Sequence, residues 1–188
     1  SDKYLQDKIY KKLDFIIIIN ASPFEIGKFD TRKKLAARRA KFCKANLIYL
    51  NLVGSQDDLV FDGGSFAMNT SGRIIYQTSF FKESDGIIDF NKKIENKNTK
   101  KINENEHLYR ALMEGVKNYM CKNNFESVIL GLSGGIDSAL TLAILADTLD
   151  NSKISSFFLP SIYTSNKSRE DAYSLSKNVA VNTKEISI

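Results

Sequence analysis

"VILGLSGGIDSALTLAIL", residues 128–145, runs an apolar β-branched stretch into a turn with two adjacent glycines and then into a second apolar stretch. This order predicts a buried strand over 127–132, a tight turn, and a helix over 137–149. A helix that opens after a glycine turn presents backbone N–H groups without helical acceptors, which suits a phosphate. Gly134 and Gly135 let the main chain approach such a ligand with no Cβ in the way. Ser133 and Ser138 add hydroxyls, and Asp137 adds a carboxylate suited to hold Mg2+ against phosphate oxygens.

Two common phosphate loops are excluded by spacing. The dinucleotide fingerprint needs GxGxxG, but the second position after Gly131 is Ser133. The nucleotide loop GxxxxGK[ST] needs a lysine that "GGIDS" lacks. A lysine-free loop works through N–H groups, hydroxyls and a metal, which suits pyrophosphate as a leaving group. A strand-to-helix turn with no ligand is the alternative, but turn geometry alone does not call for two glycines together with Ser, Asp and Ser.

Around this stretch the second half of the chain reads as alternating helix and strand. A helix is predicted over 105–124, with Leu108, Leu112, Val116 and Tyr119 spaced for packing. A strand over 153–160 is stopped by Pro160. A helix then begins near Ser168 as its cap, with Asp171 three residues on. A strand over 184–188 follows. Strand–helix repeats of this length predict a parallel sheet.

The first half has another pattern. "FIIIIN" (15–20) reads as a buried strand, and 30–46 as a helix capped by Asp30 or Thr31 with Leu35, the Arg39 stem, Phe42 and Cys43 on one face. A strand over 47–53 follows, then "SFAMN" and "IIYQTS" as a hairpin around Gly72, then a short strand over 86–90. These predict an α/β sandwich whose sheet turns antiparallel toward its edge. Asn91 to Asn105 is rich in Asn and Lys and predicts a linker, giving domains at 1–90 and 106–188.

The composition is that of a soluble globular chain: 188 residues, 43% hydrophobic, 26% charged, with formal charge +5. Much of the lysine falls in "NKKIENKNTKK" (91–101), which reads as a solvated linker rather than a nucleic-acid face. The longest apolar run is far short of a bilayer span. Cys43 and Cys121, with no CxxC spacing, read as reduced thiols of a cytoplasmic protein.

"SGGIDS" resembles the pyrophosphate loop of the N-type ATP pyrophosphatases, which adenylate an acyl oxygen, release pyrophosphate, and displace AMP with a nucleophile. With "GLSGGIDSALTLAI" followed by "FLPSIYTSNKSREDA", the chain resembles the NAD synthetases among them, rather than the GMP, asparagine or tRNA-modifying members. The resemblance implies a Rossmann-like parallel sheet of the adenine nucleotide alpha hydrolase type. It also implies ATP contacts at Gly131, Leu132, Ser133, Gly134, Gly135, Ile136, Asp137 and Ser138, with Leu159, Pro160 and Thr164 near the adenine and Mg2+ on Asp137.

"NASPFEIGK" and "NLVGSQDDLVFDGGSF" resemble the later part of the nitrilase-type glutaminase fused to glutamine-dependent NAD synthetases, an αββα sandwich. One departure is Gly54-Ser55, where the family has two glycines. The resemblance implies that Ser22 and Lys28 contact glutamine. Read alone, Ser22 is a turn residue before Pro23 and Lys28 a solvated charge. Asp57, Asp58, Asp62 and Gly63 shape the same loop and carry no assigned chemistry.

The resemblance covers essentially the whole chain: glutaminase end, linker, synthetase start. The implied activity is ATP-dependent amidation of deamido-NAD with ammonia from glutamine, by a homo-oligomer acting on small molecules. The glutaminase cysteine, glutamate and lysine fall upstream in the family, and neither Cys43 nor Cys121 replaces the nucleophile. His107 reads as a capping or surface residue. The chain is therefore expected to be a central piece of a longer enzyme, inactive alone. Its rivals are another N-type pyrophosphatase, such as GMP synthetase or a tRNA-modifying enzyme, and a non-catalytic nucleotide-binding remnant.

Overall fold

Asn20 and Asn51 end two neighbouring parallel strands, and the arrangement of the first half follows from that pairing. The structure, a computed structural model, describes residues 13–90 and 103–188. It divides into two units, residues 1–111 and 112–188.

The first unit contains β1 (Phe15–Asn20), α1 (Lys28–Cys43), β2 (Asn46–Asn51), β3 (Val53–Gln56), β4 (Leu59–Asp62), β5 (Phe66–Met68) and β6 (Ile74–Gln77). β1 and β2 are parallel, from Phe15 opposite Asn46 to Asn20 opposite Asn51, with α1 as the crossover. β5 joins β2, and β6 joins β5, both antiparallel, giving the order β1-β2-β5-β6. The sheet thus turns antiparallel toward one edge, as its sequence predicts. β3 and β4 form a separate hairpin. The core packs Phe29, Ala36 and Ala40 of α1 against Leu47, Tyr49, Phe66 and Met68 of the sheet.

Several local expectations are corrected here. α1 begins at Lys28 after Gly27, at φ +75°, with no side-chain cap. Asp30 lies within the first turn, bonded to Lys33 at 2.6 Å, so neither it nor Thr31 caps the helix. The buried face of α1 carries Phe29, Arg32, Ala36 and Ala40, while Leu35 and Phe42 are exposed. β1 is buried on one face only: Ile16 and Ile18 pack on the core, whereas Ile17 and Ile19 are 61% and 79% exposed. The apolar run over 47–53 breaks at Leu52, whose N–H donates to the Asn20 carbonyl before the chain enters β3. Residues 86–90 form no strand; Gly86 lies tight against the Tyr76 ring and hydroxyl, and Ile87 is fully exposed.

α2 (Glu104–Lys122) begins in the first unit and continues into the second. β7 (Val128–Leu132), α3 (Ile136–Thr148), β8 (Ile154–Phe158), α4 (Asn166–Asn178) and β9 (Thr183–Glu185) follow. The three strands are parallel in the order β7-β8-β9, with α3 and α4 as crossovers. Leu132, Leu142, Leu145, Ile154, Phe158, Ala172 and Val181 make the core. On α2, Val116 packs against that core and Met120 is buried, but Leu112 and Tyr119 are exposed, so the expected packing stripe is only partly used.

Ser165, not Ser168, caps α4, its side chain accepting from the Ser168 N–H at 3.1 Å. β9 is shorter than expected, though Ile186 and Ile188 still donate to the Phe158 and Pro160 carbonyls at 3.0 Å. Residues 91–102 of the expected linker lie outside the described residues, and Glu104 and Asn105 are already helical.

Candidate functional site

Three residues, Ser133 to Gly135, carry the chain from the end of β7 to the start of α3. Gly134 has φ +79°, and a Cβ built there would stand 2.3 Å from the Ser168 carbonyl oxygen in the first turn of α4. Glycine is thus required twice, for the sign of φ and for the close approach. The serines tie the turn to itself. Ser133 Oγ and Ser138 Oγ are 3.0 Å apart. Ser138 Oγ accepts from the Ser133 N–H at 3.2 Å and donates to the Gly135 carbonyl at 3.0 Å. Ser133 Oγ accepts from the Gly135 N–H at 3.2 Å.

The first main-chain bond of α3 runs from the Ala139 N–H to the Gly135 carbonyl at 3.1 Å. The N–H groups of Ile136, Asp137 and Ser138 precede it and have no helical acceptor, which makes this terminus electropositive. Nothing stands within 4 Å of a Cβ built on Gly131, so the end of β7 is open. The N–H groups of residues 136–138 therefore offer donors suited to phosphate oxygens, on a turn that the Ser133 and Ser138 bonds hold in shape, while the Leu132 side chain is buried in the core. Asp137 sits in the exposed first turn. Among the described residues no group of three His, Cys, Asp or Glu side chains is placed to hold a metal. A lone carboxylate fits Mg2+ that arrives on phosphates, because that ion keeps several waters and takes one or two protein carboxylates.

The register pairs Leu132 with Phe158, so Ser133 and Leu159 leave the sheet at the same edge. Ligands of open parallel sheets bind at this carboxyl edge. Leu159 is exposed there, and Thr164 closes a turn, its Oγ1 accepting from the Ser161 N–H at 2.9 Å and its N–H donating to the Ser161 carbonyl at 3.1 Å.

In the first unit, Ser22 lies in the turn between β1 and α1. Its N–H donates to Asn51 Oδ1 at 2.9 Å. Arg32 donates from Nε to Ser22 Oγ at 3.1 Å and from Nη2 to the Ser22 and Pro23 carbonyls at 2.8 and 2.9 Å. The Ser22 oxygen thus already accepts a bond from a cation, which leaves its proton to be donated to a carboxylate or amide oxygen. Lys28 is ion-paired with Glu25 in the same turn.

Sequence reasoning missed the group that holds this turn. Arg32 Nη1 donates to Asp62 Oδ1 at 2.6 Å, and Asn51 Nδ2 donates to the same oxygen at 3.3 Å. Asp62 and Arg32 are 1% and 5% exposed, a buried ion pair. His107 is also buried, beside Asp62, and neither caps α2 nor faces solvent. Asn103 is the cap, its Oδ1 accepting from the Asn105 and Glu106 N–H groups at 3.0 and 3.3 Å. The available signal was "FDGGSF": Gly63 and Gly64 both have φ +63°, which marks the strand end at Asp62 as a tightly shaped place. Cys43 and Cys121 are free, the first half-buried and the second exposed.

The NAD synthase family model matches residues 108–188. A glutamine-dependent NAD(+) synthetase of Synechocystis is 38% identical over 98% of this chain and 34% of its own length. One of Acinetobacter baylyi is 41% identical over 90% of this chain and 32% of its own. The chain thus spans about a third of the length of the curated relatives it matches. Among solved structures, the glutamine-dependent NAD+ synthetase of Acinetobacter baumannii in complex with adenosine diphosphate superposes with a TM-score of 0.93 at 36% identity, covering 100% of this chain and 36% of that one. A glutamine-dependent NAD(+) synthetase from Cytophaga hutchinsonii shares the fold at a TM-score of 0.78 and 16% identity, over 93% of this chain and 36% of that one.

Proposed function

We propose that this chain, which belongs to the glutamine-dependent NAD(+) synthetase family, contributes the pyrophosphate loop and part of the glutamine site to an enzyme that amidates deamido-NAD to NAD. In the reaction, a nicotinate carboxylate oxygen attacks the α-phosphorus of ATP, and the bond to the bridging oxygen of pyrophosphate breaks. Ammonia released from glutamine then attacks the acyl carbon; AMP leaves and a proton is lost.

The observation that carries this reading is the turn 133–135, with its left-handed glycine, mutually bonded serines and three N–H groups without helical acceptors. Donors fixed where charge accumulates on the departing pyrophosphate favour its release. Asp137 would hold Mg2+, which when bound neutralises phosphate charge. Leu159 and Thr164, at the same sheet edge, would border the adenine. Ser22 donates to the glutamine, and Lys28 turns from Glu25 to its carboxylate. Residues 1–90 are the later part of the glutaminase domain, 91–105 the connection, and 106–188 the opening of the synthetase domain. The two free thiols suit a cytoplasmic setting, and homo-oligomeric assembly is carried over from the family resemblance.

Asp137→Ala in an enzyme of the relatives' length carrying this segment tests the reading. Ammonia-dependent NAD synthesis is expected to fall by a factor of about a hundred while the fold, followed by circular dichroism, is unchanged. Unimpaired synthesis would refute the role of Asp137. Pyrophosphate release driven by another acid, with none by deamido-NAD, would refute the proposed substrate.

A further inference from the structure

Among the described residues, the Asp62 carboxylate has three neighbours. Its Oδ1 accepts from Arg32 and Asn51, and its Oδ2 faces His107 Nε2 at 3.4 Å. That separation is an ion-pair distance rather than a formed hydrogen bond, and Nε2 is buried with no hydrogen-bond partner. The imidazole stands among three rings: Phe24 at 5.2 Å and stacked, Phe80 at 4.5 Å edge-on, and Phe81 at 4.9 Å. Phe24 belongs to the same turn as Ser22, and its N–H donates to the Val60 carbonyl at 2.7 Å. The turn is therefore gripped at adjacent points, Arg32 holding the Ser22 and Pro23 carbonyls and His107 stacking on Phe24.

A wholly apolar ring would fill the space among the phenylalanines equally well. What it would not supply is a nitrogen facing the second oxygen of a buried carboxylate. A buried carboxylate that loses a facing polar group becomes costly and reorients toward the donors it already has. Any rotation of Asp62 moves Arg32, and Arg32 directly orients Ser22 Oγ.

We propose that His107 is a positioning residue for glutamine: through Asp62 and Phe24 it fixes the orientation in which Ser22 is presented. The inference rests on the reading of Ser22 as a glutamine contact. His107 itself touches no substrate in this scheme, so its loss acts on the glutamine reaction and leaves synthesis from free ammonia alone.

The test compares His107→Phe, which keeps a ring but no donor, with His107→Gln, which keeps a donor, in an enzyme of the relatives' length carrying this segment. His107→Phe is expected to raise the glutamine KM about tenfold, with the ammonia-dependent rate unchanged, because small misplacements of a binding group are costly. Amide exchange at Ser22 and Phe24 accelerates in the same variant, and His107→Gln recovers part of both effects. A glutamine KM within about twofold of the original, or an equal loss of the ammonia-dependent rate, would overturn the proposal. So would unchanged exchange at the turn. Should His107→Phe not fold, the same two readouts on His107→Gln decide, with an intermediate rise expected. Ser22→Ala separates the underlying reading: an unchanged glutamine KM there refutes the Ser22 contact, whereas the exchange result reports on positioning independently.

Discussion

Gly134 leaves no room for a side chain, because φ is +79° and the Ser168 main chain stands where a Cβ would go. Gly134→Ala is expected to destabilise the second unit by about 1–3 kcal/mol and to weaken ATP binding, measured by urea unfolding and calorimetric titration. Gly131→Ala, with open space around its Cβ, should change stability by less than about 0.5 kcal/mol. Cys43 differs from Cys121 in a related way. Burial pushes the Cys43 thiol above its ordinary range. The folded chain holds that proton more tightly than the unfolded one, so the contribution to stability is present below the unfolded value and lost as pH rises through the folded one. At pH 8 iodoacetamide should therefore modify Cys121 before Cys43, as read by mass spectrometry. That the chain needs a glycine at 134 was legible in the sequence as a tight turn. Its second reason was not, because Ser168 reaches it only through the packing of α4.

Helix ends show where periodicity stops informing. The body of α4 was legible, but its cap was placed three residues late, since three serines flank the start and each can accept from the backbone. Ser165→Ala should lower the stability of the second unit by about 1 kcal/mol, and Ser168→Ala by less, in thermal melts at equal pH. β7 and α3 were legible because a glycine turn separates two apolar runs of clear length. The β3–β4 hairpin was hidden by an apolar run that continues through Leu52. Its two-residue turn, Asp57-Asp58, uses φ +51° at Asp57, a conformation that aspartate tolerates better than most residues. Consecutive apolar residues make β1 look buried on both faces, but a strand places successive side chains on opposite faces and only one face meets the core.

At the scale of the molecule, each unit has its own core, and among the described residues none belongs to both clusters. Leu142→Ala should cost about 2–5 kcal/mol, read as faster amide exchange in β7 and β8 with β2 unaffected. Asp62→Ala should cost about 3–5 kcal/mol, with the loss appearing in β2 and β5, because Arg32 is left buried without its counter-charge. A loss of protection spread equally over both sheets would refute the independence of the cores. The alternation of strands and helices in each half was legible in the sequence. The Arg32–Asp62 pair was not, since a charge on a helix face and another at a strand end give no sign of meeting. The bonds described above for Ser22, Pro23 and Phe24 all come from groups later in the chain: Arg32, Asn51 and Val60. The turn is synthesised before these partners and the last of them lies in β4, so the bonds that present Ser22 are complete only after β4 has been made, and the ring contact from His107 follows later still.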